Sequence, residues 1–159
     1  MMLQTVTSEF EKLKIELIKV YDAKGMRASG KFANGLLVEV TENATGFKAV
    51  LSGNSYAQQL ETGRKSGKQP PIETIKQWIQ DKGVFTAILQ SISISSLAFL
   101  IARKIGREGW KREQHGGVNL ISEVVTDERI QRIINEVGAV EAMRLTTEII
   151  GFLNELEVA

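Results

Sequence analysis

The stretch Tyr56-Ala57-Gln58-Gln59-Leu60-Glu61-Thr62-Gly63, continued by Arg64-Lys65-Ser66-Gly67-Lys68 and Gln69-Pro70-Pro71-Ile72-Glu73, is where this chain changes character. Before it, residues alternate as in a β-hairpin; after it, apolar residues recur at helical spacing. Residues 56–60 read as a sheet edge, and 63–68 as a flexible basic loop. Pro71 suits a first helical turn, where its missing N–H costs nothing. Ile72, Ile75, Trp78 and Ile79 form one stripe, with Glu73, Lys76, Gln77 and Gln80 outside it. That pattern predicts a helix over 71–82, closed by Gly83 as a left-handed cap. Trp78 sits on the stripe and reads as its core anchor.

Residues 84–102 carry no charge. A membrane-spanning helix needs about 20 predominantly apolar residues, but Gln90, Ser91, Ser93, Ser95 and Ser96 lie near the middle of this run. It reads as a buried core helix over 86–106, broken by the glycines at 106 and 109. Arg103, Lys104 and Arg107 flank it, which keeps a membrane-associated protein anchored by 84–102 as a remote alternative. Residues 110–117 are polar, glycine-flanked and basic, and hold Trp110, Lys111, Arg112 and the one histidine, His115.

Upstream, Ser8 and Glu11 have capping-box spacing, and Phe10, Leu13, Leu17, Ile18 and Tyr21 recur as on a helix over 8–23, with Glu9, Glu11, Lys12 and Glu16 mostly off that face. Strands are expected at 36–41 and 46–52 around a turn. A lone hairpin is marginal in water and must pack on helices. Downstream, 118–125 reads as an edge strand or extended connection. Thr126 and Asp127 cap a helix over 127–137, stopped by Gly138. Residues 142–150 alternate as in a strand, yet Glu141, Arg144, Glu148 and Glu155 make a polar stripe that favours a further helix over 139–156. The expected fold is α+β in a single domain over 1–159: an N-terminal helix, an antiparallel β-hairpin sheet packed against two central helices, and a helical C-terminal region.

Lys plus Arg (20) nearly balance Asp plus Glu (19) in 159 residues, so no global field draws the chain to nucleic acid. Without cysteine there is no disulfide, thiolate nucleophile or cysteine-based metal site. The N-terminus lacks the basic and apolar regions of a signal peptide, which predicts an intracellular site of synthesis. A phosphate-binding loop needs four residues between its glycines and Ser or Thr after the lysine. Here three residues separate Gly63 from Gly67, and Gln69 follows Lys68. Glu61 is the one carboxylate in a suggestive place, able to cap loop N–H groups, pair with Arg64 or reach a partner. No second reactive group accompanies it, so no enzyme activity, cofactor or metal is expected. The candidate contact residues for a partner or second subunit are Tyr56, Glu61, Arg64, Lys65, Lys68, Trp110, Lys111 and Arg112. A different reading makes the chain a small nucleic-acid-binding protein using basic loops 64–68 and 103–115, with Trp110 stacking on a base.

The segment 56–63 resembles the tyrosine–alanine, then glutamate–x–glycine signature of bacteriophage head–tail joining and tail-completion (minor tail, neck) proteins, which likewise follows an N-terminal helix and a hairpin. Gln69-Pro70-Pro71-Ile72 with Ile75, Trp78, Ile79 and Lys82-Gly83 resembles the proline-led helix of some members, and Leu97-Ala98-Phe99-Leu100-Ile101-Ala102 with Lys104-Ile105 and Arg107-Glu108-Gly109 resembles the next. The resemblance covers about a third of the chain directly. It implies a non-enzymatic virion protein, made in the host cytoplasm, that forms a homo-oligomeric ring between portal complex and tail tube. Its partners would be itself, a portal-side adaptor or stopper, and tail tube proteins, with non-specific contact to DNA in the channel and none with membrane. The loop at 64–68 is shorter than in many relatives, and the part after Asn119 is not diagnostic.

Overall fold

The computed structural model describes every residue except 1, 44–45, 85–91, 112–116, 118 and 158–159, and of 43 and 151–157 the backbone alone. Among the described residues the order is α1 (Met2–Ala23), α2 (Lys31–Asn34), β1 (Leu37–Asn43), β2 (Gly46–Ser52), α3 (Ala57–Thr62), α4 (Ile72–Lys82), α5 (Ile94–Glu108), α6 (Leu120–Val124) and α7 (Asp127–Glu157). The fold is α+β.

The organising element is α1. Its buried face runs Val6, Glu9, Leu13, Leu17, Tyr21, a spacing of three or four that keeps one side of the helix inward. The helix starts at Met2, so Ser8 lies inside it and does not cap it. Val6 explains the longer helix: it is fully buried with Ile133 and Val137 of α7, and Phe10, Val40 and Ala49 pack around them. Farther along, Leu13, Leu17 and Tyr21 join Met26, Phe32, Leu36, Leu60, Leu120 and Val124 in a second cluster. The rings of Tyr21 and Phe32 meet at 4.5 Å.

The hairpin pairs Val38 with Leu51 and Val40 with Ala49, which places these four on one face by the two-residue period of a strand. That face turns to α1, and the central helices instead pack chiefly on each other. This differs from the expected packing of the hairpin on those helices. Between α4 and α5 the fully buried residues are Ile79, Ala98 and Ala102. Two alanines one turn apart let the helices approach closely.

Three further expectations give way. The core helix begins at Ile94, where the Ser93 hydroxyl accepts from the Ser96 N–H, and it runs through Gly106 to Glu108. It is also not buried all round, since Phe99 and Leu100 are 44% and 49% exposed; the part of the expected span at 86–91 lies outside the described residues. Residues 120–124, expected extended, are helical, and 127–157 is one helix that does not stop at Gly138. Residues 142–150 are helical, as the polar stripe led us to expect.

Candidate functional site

Residues 56–63 are not a sheet edge but the short helix α3 and its flanks. Tyr56 precedes the helix, and its hydroxyl accepts from Asn54 Nδ2 at 3.1 Å, while that same nitrogen donates to the Lys31 carbonyl at 2.9 Å. The pair of bonds ties α3 to α2. One residue type after another in this segment has a structural task. Leu60 is buried in the main cluster.

Glu61 reaches across to α6. Its Oε2 accepts from the Ile121 N–H at 2.6 Å and the Ser122 N–H at 3.2 Å, and its Oε1 accepts from the Ser122 hydroxyl. These are the orphan donors of a helix start, which a carboxylate satisfies and whose partial positive charge it complements. Of the three roles open to Glu61, capping is realised. Its lone pairs are committed within the chain, which removes it from the surface available to a partner.

Gly63 then turns at φ 78 and lets another segment cross at close range: a Cβ there would lie 2.6 Å from the Trp110 carbonyl oxygen. Immediately after it, Arg64 and Trp110 exchange backbone hydrogen bonds of 2.9 and 2.8 Å as an antiparallel bridge. Gly67 N–H donates to the Gly106 carbonyl at 2.8 Å, and Gly117 N–H to that of Leu60 at 2.8 Å. The Arg64 guanidinium donates to the Lys68 carbonyl at 2.8 Å. The basic loop at 63–68 and the described start of the polar segment after Gly109 are therefore zipped to one another. No short-range signal in either announces this, because the pairing spans more than forty residues.

This joint floors a cleft of about 570 Å³ whose walls include Tyr21, Phe32, Tyr56, Arg64, Trp78 and Trp110. Outside the cleft lining, Lys82 at the end of α4 donates to the Arg27 carbonyl at 3.1 Å and to that of Gly25, which ties α4 to the segment after α1. Burial pushes the Lys82 ammonium pKa down from its ordinary value, and burial likewise pushes the Tyr21 phenol up. Trp78 is half-buried in this wall, whereas its neighbour Ile79 is wholly enclosed, so Ile79 is the anchor of α4. The expected contact residues thus divide. Tyr56, Arg64 and Trp110 converge on the cleft; Lys65, Lys68 and Lys111 stand exposed on the joint; Glu61 is internal; Arg112 and His115 lie outside the described residues. Tyr21 and Phe32 also line the cleft, and sequence reasoning missed them. Both carry only a core signature in the sequence.

No described helix is long and apolar enough to cross a membrane. Set against protein-family models, curated proteins and solved structures, the chain matches none.

Proposed function

We propose that this chain is a structural subunit of a bacteriophage neck or tail end that completes the tail or joins head to tail as a homo-oligomeric ring. The observation that carries the reading is the far half of α7. Every residue over 142–150 is exposed, among them Met143 at 72%, Leu145 at 47%, Ile149 at 58% and Ile150 at 52%. A contiguous apolar face of that kind on a monomer marks a surface that another chain covers. On the opposite side Arg144 is paired with Glu148 at 2.6 Å and with Glu141, so the helix is solvated on one face and unpartnered on the other.

The likeness of 56–63 to the phage signature gives the assembly its identity, and the structural tasks of Leu60, Glu61 and Gly63 agree with a segment kept for architecture. The exposed Lys65, Lys68 and Lys111 would meet channel DNA through phosphate without reading sequence. Electron microscopy of the purified protein, alone and with tail tubes, tests the reading: annular particles that cap tube ends are expected. A chain that stays monomeric and leaves tube ends bare would overturn it. Tight duplex binding by the monomer, lost on changing Lys65 and Lys111, would replace it with the nucleic-acid reading.

A further inference from the structure

The joint between the loop after Gly63 and the end of α5 gathers positive charge that the rest of the chain lacks. Gly67 N–H donates to the Gly106 carbonyl at 2.8 Å, and a Cβ on Gly106 would lie 3.2 Å from the Gln69 Cα. Arg103 stands one turn before Gly106, so it borders the same loop, and Arg107 follows directly. A Cβ on Gly109 would lie 2.8 Å from the Lys65 carbonyl carbon, and Lys111 follows the Trp110 bridge to Arg64. Over 64–69 and 103–111 there are seven cations and one carboxylate, Glu108, out of 20 and 19 in the whole chain, which leaves thirteen against eighteen elsewhere. Cations outside the joint find partners: Lys24 pairs with Glu123, Arg27 with Asp22, and Arg129 with Glu9 and Glu16. In the joint, Lys65, Lys68, Arg103, Arg107 and Lys111 are exposed, and no ion pair engages them among the described residues. Only Lys104 faces Glu108, at 3.8 Å.

We propose that the joint and the outer side of the last two turns of α5 form one binding surface for the phosphates of duplex DNA. This deepens the ring reading, on which it rests for the DNA it meets, by adding Arg103 and Arg107 to the loop lysines. Three observations choose the ligand. Ser66, Gly67 and Gln69 accompany the lysines, so the surface lacks the apolar centre of a protein interface. Phe99 lies one turn from Arg103, and Leu100 one turn from Lys104, so charge shares the helix side that a lipid surface would need apolar. Trp110 lines the cleft, and Phe99 alone is not the row of rings on which successive unpaired bases stack. A duplex backbone asks only for cations within reach of its phosphates.

Fluorescence anisotropy of a short labelled duplex, titrated with the full chain at several salt concentrations, tests this. Micromolar binding that is indifferent to sequence is expected. Five neutralised phosphates per bound copy give a slope of about −4.5 in log K against log salt, a loss of roughly 500-fold between about 50 and 200 mM. Arg103→Ala with Arg107→Ala should flatten that slope by about 1.8, and Lys65→Ala with Lys68→Ala should do the same. Lys19→Ala with Lys48→Ala removes as much charge from exposed positions on α1 and β2, and should leave the slope unchanged. Circular dichroism melts establish that each variant is folded. No duplex binding at the lowest salt, or an equal effect of all three pairs, would overturn the surface. So would tighter binding of a single strand than of the duplex, or binding to phosphatidylserine vesicles in place of DNA. Rings on tube ends without duplex binding would overturn this surface alone, whereas duplex binding by a chain that never forms rings would overturn the ring reading alone.

Discussion

The Arg129 guanidinium of α7 lies 3.2 Å from the Glu9 carboxylate of α1, with only 9% and 3% of the two side chains exposed. Arg129 also holds Glu16 through two bonds of 3.1 and 3.3 Å, and Lys12 contacts Glu9 from the next turn. This ionic knot sits between the two hydrophobic clusters and fixes how the long helix crosses the first one. Buried pairs are weak sources of net stability but strong sources of damage when one partner is removed.

Arg129→Ala should therefore destabilise the fold, though by less than the ~3–5 kcal/mol of a buried pair broken outright, because Glu9 loses its buried partner but keeps Lys12. The double variant Glu9→Leu, Arg129→Leu should recover most of that loss, since two apolar side chains replace the pair without an orphan charge. Urea melts of the single and double variants decide the matter. Equal destabilisation in both would mean that shape, and not charge, makes the junction.

The same knot gives a pH dependence. The Lys12 contact, aided by Arg129 and opposed by desolvation, holds the Glu9 pKa below its ordinary value. A depressed folded-state pKa means that the unfolded chain takes up the proton more readily. The contribution is then complete above the unfolded value of about 4.3 and is lost as pH falls through the folded value. Stability measured from pH 7 downwards should fall in that acid window, and Glu9→Gln should flatten the fall. Identical slopes for the two chains would show that Glu9 does not carry it.

What the sequence disclosed was whatever is local. The stripe Ile72, Ile75, Ile79 and the Gly83 cap define α4, and Gly83 does adopt φ 68, ψ 15. The alternation of Val38 and Val40 opposite Ala49 and Leu51 defines the hairpin. What it concealed depends on contacts between distant segments. Val124 and Val125 look extended, yet 120–124 is helical with its start capped by Glu61 from sixty residues away. Gly138 looks like a stop, yet α7 continues, its glycine cost of about 1 kcal/mol set against burial of Ile133 and Val137. Glu9 shares the helical spacing of Leu13 and Leu17 but reads as a surface residue by its charge, because its partner is in another helix. At the candidate site, Tyr56 and Trp110 were legible as unusual residues, but not their convergence.

Glu61→Ala removes the acceptor for two backbone donors and one hydroxyl of α6. It should cost about 1–3 kcal/mol, and amide exchange at Ile121 and Ser122 should rise ahead of the rest of the chain. Ser122→Ala, which leaves both backbone bonds in place, should cost less. Unchanged exchange at those amides in the Glu61 variant would contradict the capping role.

Gly83 and Gly109 share φ 68 but differ in what surrounds them. An added Cβ at Gly83 meets nothing within 4 Å, whereas at Gly109 it would lie 2.1 Å from the Arg64 carbonyl oxygen. Gly109 also has ψ −163, a backbone region that is nearly glycine-only. Gly83→Ala should thus cost about 1–2 kcal/mol for the left-handed conformation alone. Gly109→Ala should cost clearly more and should part the Arg64–Trp110 bridge, seen as faster exchange of both amides. Comparable melting for the two variants would mean that the joint is looser than its hydrogen bonds imply.

The last comparison is between neighbours on α4. Ile79 is wholly buried on α4, which packs on α5, while Trp78 is half-buried in the cleft wall. Ile79→Ala creates a cavity that two packed helices cannot collapse, and should cost about 2–5 kcal/mol. Trp78→Ala strips a ring already partly in water, so its loss should be roughly half the 3–5 kcal/mol typical of a fully enclosed tryptophan. Denaturant melts give both values, and quenching of tryptophan emission by acrylamide reports the exposure directly. A larger loss at Trp78 than at Ile79 would show that the cleft is closed in solution by a side chain or segment lying over that ring.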